Sequence, residues 1–98
     1  MTIDFEQNPE TLVVKLTGRL DTNTSQELDA ALKEQNLEQN LVFDFAALEY
    51  LSSAGLRLLL SYHKAQDAAG FSLVIKNVNE IIKEIFAVTG FDSVLTVE

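Results

Sequence analysis

Cysteine is absent from the sequence. That removes disulfides, thiolate metal sites and thiol nucleophiles together, and it fits a reducing compartment. Basic side chains are scarce: seven Lys and Arg stand against fifteen Asp and Glu, a formal charge of −8. Nucleic acids attract basic patches and anionic membranes repel acidic ones, so both are poor candidates for direct partners. A protein with a basic face fits better, although the same charge also serves solubility. Long apolar runs are missing too. The apolar stretches are interrupted by Asp44, Glu49, Ser52 and Arg57, well short of the ~20 residues that span a bilayer. The start, MTIDFEQ, is acidic where a signal peptide would be basic and then apolar. A soluble cytoplasmic protein without membrane insertion is expected.

The 98 residues suit one small domain, and 47% of them are hydrophobic, enough for one core. Residues 3–6 alternate apolar and polar, and 11–17 (TLVVKLT) are β-branched and apolar. The short turn between them implies a hairpin, which Gly18 ends. Thr24 and Glu27 have the spacing of a capping box, so a helix should begin near Thr24 and bury Leu28, Ala31 and Leu32. After a polar connection at 35–40, LVFDF at 41–45 reads as a central strand covered on both faces. AALEYLSS reads as a loop. A second helix over 53–69 carries Leu56, Leu59, Leu60 and His63 along one side and stops at Gly70. A strand at 71–76 follows. A third helix, capped by Asn79 and ended by Gly90, carries Ile81, Ile82, Ile85 and Phe86, and a short strand at 93–97 closes the chain. The order ββαβαβαβ implies an α/β domain with a mixed, mostly parallel sheet and right-handed crossovers.

Catalytic signatures are lacking. The single histidine, His63, lies about 15 Å along its helix from Ser53, too far to take that hydroxyl's proton. The stretch reads S-S-A-G and not G-x-S-x-G. Neither G-x-x-x-x-G-K-[ST] nor G-x-G-x-x-G occurs, so no nucleotide cofactor is expected. Asp4, Asp21, Asp44 and Asp92 are dispersed, which supports no metal site. An aspartyl phosphate at Asp44 would need acidic, threonine and lysine partners that are not evident. That leaves EYLSSAGLRLLL at 49–60. Ser52 and Ser53 sit where a helix begins, and from spacing alone they read as a cap. A helix N-terminus also tolerates a phosphate, through free backbone N–H groups and partial positive charge.

Residues 41–60, LVFDFAALEYLSSAGLRLLL, resemble the signature region of STAS domains, specifically bacterial anti-sigma-factor antagonists. GRLDTNTS at 18–25 resembles the family's G-x-L-D-x-x-T/S element, and GFSLVIKNVNEIIKEIFAVTGF at 70–91 its later strand, loop and helix. The likeness runs through residues 1–98 and implies a single STAS-like domain with helices packed largely on one side of the sheet. It further implies partner switching. Such proteins bind an anti-sigma factor that is also a serine kinase, and they are released when it phosphorylates them, with a phosphatase to reset the state. Aligned on Gly55 and Leu56, the acceptor is Ser53, with Ser52 as the alternate. Asp21 matches an aspartate near the acceptor that contacts the partner, and Asp44 matches the one ending the central strand. The implied contact surface comprises Asp21, Thr22, Asn23, Ser52, Ser53, Ala54, Gly55 and Arg57. Ser52 stands where the family usually has aspartate, and Ala54 where it has serine or threonine. The rival readings are a constitutive STAS adaptor in a stress-sensing or lipid-transport complex, and a small enzyme using Asp44 or Ser53.

Overall fold

Alternating apolar side chains make the strands of this protein, and one face of those strands makes its core. The computed structural model describes residues 1–98. In chain order it contains β1 (Thr2–Gln7), β2 (Thr11–Leu20), α1 (Thr22–Lys33), β3 (Asn40–Leu51), α2 (Ser53–Ala68), β4 (Leu73–Lys76), α3 (Glu80–Thr89) and β5 (Thr96–Val97). The strands form one sheet in the order β1-β2-β3-β4-β5. β1 and β2 are an antiparallel hairpin, and every later pair is parallel. Each parallel step needs a crossover, which α1, α2 and α3 supply in turn. The element order and the mixed, mostly parallel sheet are those expected from the sequence.

Leu12 and Val14 of β2 align with Leu41 and Phe43 of β3, which align with Leu73 and Ile75 of β4, and all six are buried. Leu28 and Leu32 of α1, Leu56 and Leu59 of α2, and Ile82 and Phe86 of α3 join them in one cluster of 19 buried residues. The three helices thus cover one face. On the other face Val13, Val42 and Val74 are only half-buried. Lys15 and Lys76 flank them and pair with Glu6 (3.8 Å) and Glu98 (3.7 Å). β3 is therefore not covered on both sides, contrary to the reading of LVFDF.

β3 is also longer than expected, because AALEYL continues it. Its register against β2 shifts between Lys15 and Thr17 and again between Gly18 and Arg19, each time adding a residue to β3. These bulges turn the usual two-residue alternation into buried Phe45, Leu48 and Leu51, a spacing that does not read as a strand. Gly18 lies inside β2 and does not end it. Its φ of 100° is open to glycine at little cost. Asp44 does not end its strand either. It steadies the bulge, accepting from the Asn77 side-chain amide and the Ala46 N–H, both at 3.0 Å. Those two bonds hold its carboxyl below the usual range.

The remaining differences are at element ends. β4 begins at Leu73, and a 3-10 turn at Phe91–Ser93 shortens β5 to Thr96–Val97. α3 carries the four expected apolar residues, of which Ile82 and Phe86 are buried and Ile81 is exposed. Gly70 and Gly90 take the left-handed φ values, 86° and 78°, at the ends of α2 and α3 as their positions suggested.

Two polar ties hold α2 in place. The buried Gln66 amide donates to the carbonyls of Gln39 (2.7 Å) and Leu37 (3.0 Å), satisfying the loop after α1. The Tyr62 hydroxyl donates to Asp29 Oδ1 of α1 at 2.6 Å. Burial, and then the Asp29 carboxylate, push the Tyr62 phenol up. The tyrosine bond, and then Lys33 at 3.0 Å, push the Asp29 carboxyl down. Tyr62→Phe is expected to lower stability by about 1 kcal/mol near neutral pH. Because Asp29 is depressed, its contribution is present above the unfolded carboxylate value of about 3.9 and lost as pH falls through the lower folded value. Urea unfolding of both proteins near neutral pH and in acid checks this. The gap between them should narrow in acid, and an unchanged gap would assign the loss to packing.

Candidate functional site

β2 and β3 run parallel and end together, so the helices that follow them start side by side. Asp21 follows β2 and caps α1, and Ser52 follows β3 and caps α2. The Ser52 backbone N–H donates to the Leu20 carbonyl at 2.9 Å, joining the two starts. The third start is tied in by Asn79. Its Oδ1 accepts from the Ile82 N–H at 2.9 Å, and its amide donates to the Leu48 carbonyl at 3.1 Å. Three helix N-termini, each with partial positive charge, thus share the carboxyl edge of the sheet, where open α/β sheets place their binding sites.

The α1 cap is three residues earlier than the spacing of Thr24 and Glu27 suggested. Asp21 Oδ1 accepts from the N–H groups of Asn23 (3.1 Å) and Thr24 (3.0 Å). In return the Thr24 hydroxyl accepts from the Asp21 N–H at 2.8 Å. That hydroxyl also reaches the Arg19 carbonyl (2.7 Å) and Asp21 Oδ1 (3.0 Å), and can donate to one at a time. Threonine therefore fills the reciprocal role for which glutamate was expected. The Thr24 N–H, and then its hydroxyl, hold the Asp21 carboxyl below the usual carboxylate range, so it remains charged.

The two serines have different environments. Ser52 Oγ accepts from the Gly55 N–H at 3.2 Å, and the residue is half-buried. Ser53 is the first helical residue and is exposed, and its carbonyl accepts from Arg57 Nε at 3.4 Å. Spacing could not separate them, whereas the fold commits one hydroxyl to the cap and turns the other residue outward. Arg19 stacks over Tyr50, its guanidinium carbon 4.1 Å from the ring centre. Both arginines of the chain therefore lie near this edge.

Thr22 and Asn23 are exposed on the first turn of α1, and Arg57 on α2. Thr22, Ala54 and Arg57 line one shallow cleft of about 340 Å³ with Ser25, Gln26, Asp29 and Leu58. The last four were missed from the sequence. Thr22, Ser25, Gln26 and Asp29 have the spacing of a helix face, but spacing does not say which helix that face meets. Gly55, expected among the contacts, is buried. Asp44 lies on the uncovered sheet face with Val13, Lys15, Val42 and Lys76, bonded to Asn77. His63 is half-buried with its Nδ1 unpartnered, well along α2 from Ser53. No group of three or more His, Asp or Glu side chains is arranged to hold a metal ion, and no helix is long and apolar enough to cross a membrane.

A family model of the STAS domain matches residues 2–98. A protein of Bordetella bronchiseptica named as a candidate anti-sigma factor antagonist, BtrV, is 29% identical over 99 residues, covering 99% of this chain and 85% of its own. The anti-sigma factor antagonist SpoIIAA in its unphosphorylated form superposes with a TM-score of 0.82 at 19% identity, covering 99% of this chain and 88% of its own. The Bacillus cell fate determinant SpoIIAA in its phosphorylated form gives 0.74 at 20% identity, covering 99% and 91%.

Gly55 sets how closely α2 crosses the strand ends. A Cβ there would lie 2.8 Å from Leu20 Cγ and 2.9 Å from Leu51 Cδ1, both buried side chains. Alanine favours a helix by roughly 0.8–1 kcal/mol over glycine, but overpacking a core typically costs about 1–3 kcal/mol. Gly55→Ala is therefore expected to lose about 1 kcal/mol in urea unfolding. A gain in stability would show that α2 can shift freely at this crossing.

Proposed function

The chain belongs to the STAS domain family, and we propose that it is an anti-sigma-factor antagonist switched by phosphorylation of Ser53. Unphosphorylated, it binds an anti-sigma factor that is also a serine kinase. Phosphorylated, it lets go, and a phosphatase returns it to the binding state. The domain, residues 1–98, acts in the cytoplasm as a substrate and binding module. The nucleotide and the catalytic groups belong to the kinase.

The observation that carries this reading is the contrast between the serines. Ser52 is occupied as the cap of α2, while Ser53 is exposed on the same first turn. A kinase can reach Ser53 without dismantling the cap. The added phosphate, roughly −1.5 to −2 charges, sits at a helix N-terminus that tolerates an anion, so the fold survives. Asp21, kept ionised by its cap bonds, is already negative at the neighbouring helix start. The modification therefore changes what this edge attracts. A dianion buried in an interface without a paired cation costs several kcal/mol, enough to release a partner.

Incubation with the cognate kinase and ATP, followed by mass spectrometry, should show one phosphate at Ser53 and none in Ser53→Ala. Ser52→Ala should remove about 1 kcal/mol of cap stability and still be phosphorylated. Ser53→Glu should weaken partner binding at least about tenfold, a loss of ~1.4 kcal/mol, while keeping the fold. Partner binding by Ser53→Glu as tight as the parent's would sink the switch and leave the constitutive adaptor, in which both serines serve only the helix.

A further inference from the structure

α3 has two apolar faces where a surface helix needs one. Ile82 and Phe86 are buried in the core. Ile81, Ile85 and Val88 recur at i, i+4 and i+7 and form a second stripe along the helix. Ile81 is 67% exposed and Val88 79%, and Ile85 is half-buried. These are the two most exposed large apolar side chains in the protein. With Glu84 and Thr89 the stripe lines a shallow groove of about 330 Å³. Burying an isoleucine or valine is favourable, and Ile81 and Val88 obtain little of that gain within the chain. Ile85 packs partly against the core, whereas Ile81 and Val88 lie on its solvent side.

The border of the groove is acidic. Glu84 lines it, and Glu80 precedes Glu84 by one helical turn on the same side. Lys83 is the one cation of α3, and Glu80 engages it at 3.6 Å. Asp92 adds a further negative charge just beyond the helix. Around them the chain as a whole carries −8.

That charge separates the possible occupants. An anionic lipid surface is repelled by the acidic border. A second copy, pairing α3 antiparallel with itself, would set Glu84 against its counterpart near the middle of the stripe and join two chains of net −8. What complements an aliphatic stripe with carboxylates beside it is a helix with an aliphatic stripe and cations beside it. We infer that the Ile81–Ile85–Val88 face of α3 is a docking surface for a basic amphipathic helix of a partner protein. It uses no residue of the Ser53 site and stands independently of phosphorylation. The Asn79–Leu48 bond anchors α3 to the sheet edge that carries Ser52, so the surface holds a fixed orientation to that site.

The test titrates the isotope-labelled full chain with two synthetic helical peptides that share one leucine stripe. One is flanked by lysines and the other by glutamates. The lysine peptide should shift the backbone amides of residues 80–93 saturably, and Ile81→Ser/Val88→Ser should weaken it at least about tenfold. Both substituted side chains are exposed, so the thermal unfolding of that variant should match the parent's. Equal response to the two peptides, undiminished binding by the double variant, or shifts scattered over the acidic surface would overturn the proposal. So would a dimer in sedimentation, or flotation with anionic vesicles, that is lost in Ile81→Ser/Val88→Ser, since either would give the stripe to another occupant.

Discussion

The hydrogen bond from the Ser52 N–H to the Leu20 carbonyl, 2.9 Å, completes the pairing of β2 with β3, and the candidate site depends on that pairing. Parallel strands that end together deliver their following helices to one edge. Asp21 and Ser52 each follow a strand end directly, so two caps become neighbours. The bulges in β3 are part of the same geometry. They insert residues opposite β2 so that Leu48 and Leu51 still reach the core, and they leave the Leu48 carbonyl available to Asn79. Gly55 then lets α2 cross the ends of both strands, where a methyl group would meet Leu20 and Leu51.

The scaffold and the site divide the chemistry between them. Beneath the edge the core is apolar, and the buried side chains of Ser25, Gln39 and Gln66 have partners in the backbone. On the edge the groups are small, exposed or charged: Thr22, Asn23, Ser53 and Arg57. An added charge there meets helix N-termini and solvent and not the core. A binding module suits this arrangement because its output is a change in surface affinity, for which a stiff frame is an advantage. The net charge of −8 belongs to the chain as a whole and biases it toward positively charged surroundings.

Much of the frame was legible in the sequence because its signals are local. TLVVKLT and LVFDF read as strands, Asn79 as a cap, and Gly70 and Gly90 as left-handed helix ends. Where the reading went wrong, a longer-range effect had intervened. AALEYL looked like a loop because bulges replace its alternation with a spacing of three. Thr24 and Glu27 matched a capping box, yet Asp21 emerges from β2 already placed to cap and so starts the helix earlier. Ile81 fitted the helical period beside Ile82, but the core occupies only part of the circumference of α3.

The sequence by itself determined the order of elements, the acidic charge, the lack of thiol and glycine-loop chemistry, and the serine pair at a helix start. Each of these follows from composition or from residues within a turn or two of one another. Tertiary structure decided which serine caps and which is exposed, which face of α1 meets α2, and which isoleucines of α3 are left outside. Those outcomes depend on how close separate segments come. The Cβ-less Gly55 against Leu20 and Leu51, and the Tyr62–Asp29 bond between helices, are distances that one-dimensional spacing does not contain.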